Sequence, residues 1–168
     1  MVLVNVLINL TWNTIYTLDG EHFKSKLTII TFEKFSKTPK ERLFIASTNF
    51  QSYQTLLPQY FPSVRIISVR PNTTLIEEHR IIAGKEFVVM ARHITDDSNS
   101  HETFFVGGDA KGTRILEKYE TISEGTKVTV TIDFKPKISL KFSARFNKSK
   151  LLDDFEKIMD KFVEIAES

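Results

Sequence analysis

The sequence predicts an α+β protein in which one curved antiparallel sheet of about six to seven strands carries a long C-terminal helix. Two observations lead there. From Asn147 to Ala166 the apolar residues Leu151, Leu152, Phe155, Ile158, Met159, Phe162, Val163 and Ile165 recur every three or four positions, one wide helical stripe. From about Val64 to Phe134 the pattern instead alternates with a period of two and is cut by short turns. A sheet with one apolar face and a helix with one apolar stripe bury each other.

The elements follow in order. Lys26 to Phe35 alternates and forms the first strand. Thr38-Pro39-Lys40-Glu41 then supplies a cap hydroxyl, a proline for the first helical position and a glutamate three residues after the cap, which predicts a capping box and a helix to about Ala46. Asn49 is placed to cap a second short helix with Phe50, Tyr53, Leu56 and Leu57 as its apolar positions, ended by Pro58 and Pro62. Strands are expected at Val64 to Val69, Thr74 to Ile82, Glu86 to Ile94, His101 to Val106, Thr113 to Thr121 and Lys127 to Phe134. The last alternates most cleanly, with Val128, Val130, Ile132 and Phe134 on one face. Gly84, Asp96 to Asn99, Gly107 to Gly112 and Glu124-Gly125 provide turns, so the strands form a meander of hairpins. Ser149 is expected to cap the last helix, with Asp153 and Asp154 placing negative charge near its start.

Composition sets bounds. A chain of 168 residues suits one main unit, residues 26–168, preceded by an N-terminal extension, residues 1–25. The extension begins MVLVNVLINL, which has no basic leader and is half the length of a membrane helix, so an extra strand or an arm lying on apolar surface is expected. Absence of cysteine excludes disulfides, thiolate catalysis and cysteine-ligated metals, and the cytoplasm is the expected compartment. A net charge of +2 is too small for binding nucleic acid over the whole surface, so no nucleic-acid partner is expected. Fourteen Phe residues signal a large apolar interior.

Candidate functional residues come from strand register. If Ala83-Gly84-Lys85 forms the loop, His79 lies opposite Val89 and Glu77 opposite Ala91; if Thr95 to Asn99 turns the next hairpin, His93 faces His101 and Val89 faces Phe105. The inner face then carries Glu77, His79, Phe87, Val89, His93, His101 and Phe105, joined by Glu117 and Tyr119. Glu78, Arg80, Arg92 and Glu102 fall on the solvent face, and a slip of one residue exchanges the two sides. An apolar wall with a few polar groups is how a small-molecule site looks, and His and Glu suit acid/base chemistry near neutrality. The plainer alternative is a satisfied hydrogen-bond network in the core. Phe155, Met159 and Phe162 supply the helix side of the pocket.

No metal or cofactor is expected, because tight His-x-His or HExxH spacing is missing. Gly107-Gly108-Asp109-Ala110-Lys111-Gly112-Thr113 lacks the order of a phosphate loop and leads into a strand, so it is a hairpin turn. The basic tract with Lys135, Lys137, Lys141 and Arg145 suits transient contact with an anionic membrane surface; a solvated connection is the simpler account.

The strand-to-helix passage FEKFSKTPKERLF, the segment YQTLLPQYFPSVRIISV, the turn and strand GGDAKGTRILEKYE, the strand EGTKVTVTIDF and the final helix together resemble the START-like helix-grip (SRPBCC) superfamily, within it the polyketide cyclase/dehydrase and lipid-transport branch. The resemblance spans about Leu27 to Glu167. It implies a pocket between sheet and terminal helix for a hydrophobic ligand such as a lipid, isoprenoid, quinone or polyketide, and it supplies no universal catalytic residue. Binding or transport is the leading expectation. A cyclase or dehydratase acting through the pocket His, Glu and Tyr residues is the alternative, and an interaction or chaperone-activator-like module the second.

Overall fold

The computed structural model describes residues 28–136 and 147–168. Seven strands form one antiparallel sheet: β1 (Thr28–Ser36), β2 (Ser63–Arg70), β3 (Thr73–Ile82), β4 (Lys85–Asp96), β5 (Ser100–Gly108), β6 (Arg114–Ile122) and β7 (Gly125–Phe134). Their spatial order is β1-β7-β6-β5-β4-β3-β2, so β2 through β7 form the expected meander and β1 closes against β7. After β1 come α1 (Lys40–Thr48), a 3-10 turn (Phe50–Ser52) and α2 (Tyr53–Leu56). The terminal helix, α3 (Lys148–Glu167), packs against α1 and β1. The N-terminal extension, Lys137, Lys141 and Arg145 lie outside the described residues.

Three local expectations are corrected. The capping box does not form: Pro39 occupies the cap position of α1 rather than the first helical one, while the Thr38 hydroxyl bonds to Ser36 and its carbonyl accepts from Thr126. Asn49 precedes the 3-10 turn but caps it with no side-chain bond. For α3 the cap is Asn147, whose side chain accepts from the Lys150 amide, and not Ser149, which lies inside the helix. The asparagine wins because its carbonyl reaches the amide three residues on, which the preceding extended conformation leaves open.

One register correction governs the site. The β3–β4 turn has two residues, Ala83 (φ 53) and Gly84 (φ 72), with Ile82 paired to Lys85. Two successive left-handed residues make the tight turn whose twist suits a hairpin. The expected three-residue loop therefore shortens by one, and the faces of β3 exchange: Ile76, Glu78, Arg80 and Ile82 are buried, while Glu77 and His79 lie on the other side. The β4–β5 hairpin also shifts, pairing His93 with Thr103 and Thr95 with His101, but by two residues, so His93 and His101 stay inside. A bulge between Met90 and Ala91 sets Val89 opposite Gly108 and Ala91 opposite Phe105. Gly108 has φ +87, and a Cβ there would sit 2.1 Å from the Val88 carbonyl oxygen, so the bulge demands glycine. A second shift between Ile66 and Ser68 interrupts β2.

The core lies between the sheet and α3. Val128, Val130, Ile132 and Phe134 of β7 face it as expected, with Phe87, Val89 and Phe105 of the central strands. From α3 it receives Leu151, Phe155, Ile158, Met159 and Phe162. Two carboxylates pin the helix. Asp154 Oδ2 accepts the Ala83 amide of the tight turn at 2.7 Å, and Glu167 Oε1 accepts the Lys37 amide at 2.8 Å near the other end. We expect Asp154→Ala to cost about 1.5–3 kcal/mol, the worth of a partly buried bond to a charged acceptor. Asp153→Ala, which removes only the exposed and solvent-screened pair with Lys157, should cost far less. Urea denaturation of the two variants checks the contrast, and equal losses would remove the latch.

Candidate functional site

Beneath α3, strands β3 to β6 each contribute polar side chains to one buried chain of hydrogen bonds. Arg80 Nε donates to Glu78 Oε2 at 2.6 Å. Glu78 Oε1 lies 2.9 Å from His93 Nε2, His93 Nδ1 lies 2.9 Å from His101 Nε2, and His101 Nδ1 lies 3.0 Å from Glu117 Oε2. The Tyr119 hydroxyl donates to that same Glu117 oxygen and lies 2.6 Å from the hydroxyl of Ser47 of α1, which also reaches the Phe44 carbonyl. The Tyr53 hydroxyl donates to the Ser47 carbonyl. Glu78 is 0% and His93 1% exposed. Phe50 covers the His93 ring at 4.3 Å, and the Arg80 guanidinium lies between Phe61 and Phe105, 4.7 and 5.0 Å from the ring centroids.

Proton counting fixes the charge. Each carboxylate requires an N–H from the imidazole that touches it, and the 2.9 Å contact between the two rings needs one more proton to avoid opposed lone pairs. Three protons on four ring nitrogens make the histidine pair one positive charge. Burial pushes the imidazolium form of His93 down, against the opposing pull of Glu78. The additional proton lies between the two rings, in the contact of His93 Nδ1 with His101 Nε2. Two carboxylates are then balanced by one guanidinium and one imidazolium, and the cluster is neutral. Thr103 Oγ1, 3.2 and 3.4 Å from the two facing nitrogens, sits beside the shared proton.

The carboxylates follow the same logic. Burial alone would raise Glu78, but Arg80 and then His93 outweigh it and bring the group from 4.5 down to about 2. Burial likewise opposes ionisation of Glu117, and His101 with the Tyr119 hydroxyl lowers it on balance. Tyr53 and Tyr119 are pushed well above the ordinary phenol value, first by burial and then by Glu117, so both stay neutral donors.

The structure brings together His93, His101, Glu117 and Tyr119 from the residues the sequence singles out, with Phe87, Val89, Phe105, Phe155, Met159 and Phe162 around them in the core. It leaves out Glu77, which pairs with Arg65 on the outer face, and His79, 3.5 Å from the exposed Glu86. Their places are taken by Glu78 and Arg80, which the misplaced loop sends to solvent. A signal for them exists: opposite charges two residues apart share one strand face and neutralise each other, flanked by Ile76 and Ile82 in the same parity.

Side chains fill the expected hollow. Between sheet and α3 there is a void of about 20 Å³, bordered on its polar side by Tyr53, Arg80, His101, Thr103 and Glu117 and on its apolar side by Phe155, Met159 and Phe162. A water needs about 10–15 Å³, so the space takes one small group and no more. A larger, open groove of about 220 Å³ runs between α1 and the end of α3, lined by Arg42, Ile45, Asn49, Leu56 and Ile165 among others. It holds none of the buried chain. Among the described residues no group of three or more potential ligands is arranged to hold a metal ion, and no helix is long and apolar enough to cross a membrane.

No family model and no curated protein matches the sequence. Solved structures do. A protein of Thermus thermophilus superposes with a TM-score of 0.71 at 18% identity, over 82% of this chain and 96% of that one. The Zhui aromatase/cyclase of a Streptomyces species gives 0.69 at 11% identity, over 83% and 93%, and a START superfamily protein of Mycobacterium smegmatis 0.69 at 12%, over 83% and 97%. The chain has the START-like helix-grip fold.

Glu78 generates a pH prediction. Its folded value is below its unfolded one, so its stabilisation is present above about pH 4.5 and is lost as pH falls toward 2. A shift of that size corresponds to roughly 3 kcal/mol. Between pH 5 and 3 the wild type should therefore lose stability more steeply than Glu78→Gln, which starts several kcal/mol lower because it leaves Arg80 unpaired. Parallel slopes in chemical denaturation would remove Glu78 from the acid transition.

Proposed function

We propose that this protein binds a small, largely hydrophobic molecule between the sheet and α3, with the buried polar chain orienting it. One observation carries this reading: a neutral but fully charge-bearing network lies directly under an apolar helix face. Burying four charged groups costs several kcal/mol apiece before they interact, and a hydrocarbon core of equal volume is often as stable or more so. Packing alone gives no reason to keep them. Phe32, Ile115 and Val130 form the apolar sheet wall of the site and Phe155, Met159 and Phe162 its cover, while Phe87, Val89 and Phe105 are core residues that do not line it. Because the free volume is about 20 Å³, the guest enters by displacing that cover. The Zhui aromatase/cyclase shares the fold, which makes a cyclase or dehydratase the second reading, and it is favoured by the placement of His101 and Glu117 at the void. Tyr119, held between Glu117 and Ser47, is then a positioning residue and does not itself meet a carbonyl.

Phe162→Ala removes part of the cover. The neutral dye N-phenyl-1-naphthylamine should bind this variant at least several-fold more tightly than the wild type, whereas Ile45→Asp in the outer groove should leave its binding unchanged. Native mass spectrometry of gently purified wild type should show a co-purifying apolar molecule. Dye binding that ignores Phe162 and responds to Ile45 would move the site to the groove and defeat the reading.

A further inference from the structure

The hydrogen-bond inventory of the buried chain leaves two groups unused, and both belong to residues that border the void. Arg80 spends its Nε–H on Glu78, and its two terminal amino groups have no acceptor among the described residues. Glu117 receives both of its donors on Oε2, and its Oε1 has none among the described residues. The other polar neighbours of the void are occupied: Tyr53 by Ser47, Thr103 by the histidines, and His101 on both nitrogens. Arg80 is 4% and Glu117 8% exposed, and the void is a space that both border. Unmet donors and an unmet acceptor share one space of about 20 Å³.

We propose that this space is a hydroxyl site, and that the molecule bound by the protein carries an alcohol or phenol group. This rests on the binding reading above. One oxygen that accepts from Arg80 and donates to Glu117 satisfies both groups at once, which a ketone, an ether or a hydrocarbon cannot do. Charge points the same way. Arg80 and the histidine proton already balance Glu78 and Glu117, so a carboxylate or an ammonium would introduce an uncompensated buried charge, whereas a hydroxyl keeps the cluster neutral. A site built to bond a hydroxyl also rejects the analogue that lacks it, because its own polar groups are left unpaired. In the free protein a single water fills the same role, and it fits the volume.

Two measurements test this. In a high-resolution crystal structure of the wild type, one oxygen should lie within hydrogen-bond distance of both an Arg80 terminal nitrogen and Glu117 Oε1; an empty void, or an anion on Arg80 alone, would overturn the proposal. Met159→Ala enlarges the space next to the polar wall, and calorimetry with phenol, toluene and benzoate then compares a hydroxyl, its methyl isostere and a carboxylate. Phenol should bind at least tenfold more tightly than either, and Met159→Ala combined with Glu117→Leu should lose that preference. Equal binding of phenol and toluene would refute the hydroxyl site while leaving an apolar binding protein. Binding of none of the three to Met159→Ala would refute both.

Discussion

Pairing of Ile82 with Lys85 across a two-residue turn decides which side of β3 looks at the helix. Side chains alternate along a strand, so a change of one residue in the turn would turn Glu78 and Arg80 out to solvent and bring Glu77 and His79 in. The turn is held by more than its own backbone. Its Ala83 amide is bonded to Asp154 of α3, so the same contact that seats the helix also fixes the hairpin end that sets the register. The site beneath α3 is thus defined from both sides by a single junction.

The buried chain that results is an economy of protons as much as of charges. Its two histidines meet edge to edge, with ring planes inclined at only 17°, and they share the proton that makes the whole cluster neutral. Removing any member leaves a buried group without its partner. Yet the chain stops short of satisfying itself at Arg80 and Glu117, the two residues beside the remaining free volume.

Much of the architecture was legible in the sequence because it rests on long, redundant patterns. The α3 stripe and the β7 alternation each repeat over many residues, and no local detail can overturn them. The site was legible only in part. His93, His101, Glu117 and Tyr119 stand on strands whose parity survived, since the β4–β5 shift was by two residues. Glu77 and His79 failed because Ala83 takes a left-handed conformation that alanine seldom adopts, and nothing in an Ala-Gly pair announces a tight turn as Asn-Gly would. Leu75 and Ile81 are also as apolar as Ile76 and Ile82, so β3 offers no hydrophobic contrast between its faces. The filled interior was invisible because the stripe on α3 reports how much apolar surface is covered, and it does not say whether a ligand or Phe162 covers it.

The interruption of β2 has a consequence for life in a crowded solution. An open sheet ends in strands whose outward amides and carbonyls invite a neighbour's strand to join. Among the described residues β1 is packed against α3 and its Lys34 is tied to Asp160 of the helix, so the other border, β2, carries the greater hazard, with Val69 70% exposed near its end. The displaced residue between Ile66 and Ser68 breaks the run of evenly spaced bonding groups there, so an incoming chain finds only short stretches in phase. An irregularity remote from the polar cluster thereby works against the addition of a further strand at this edge.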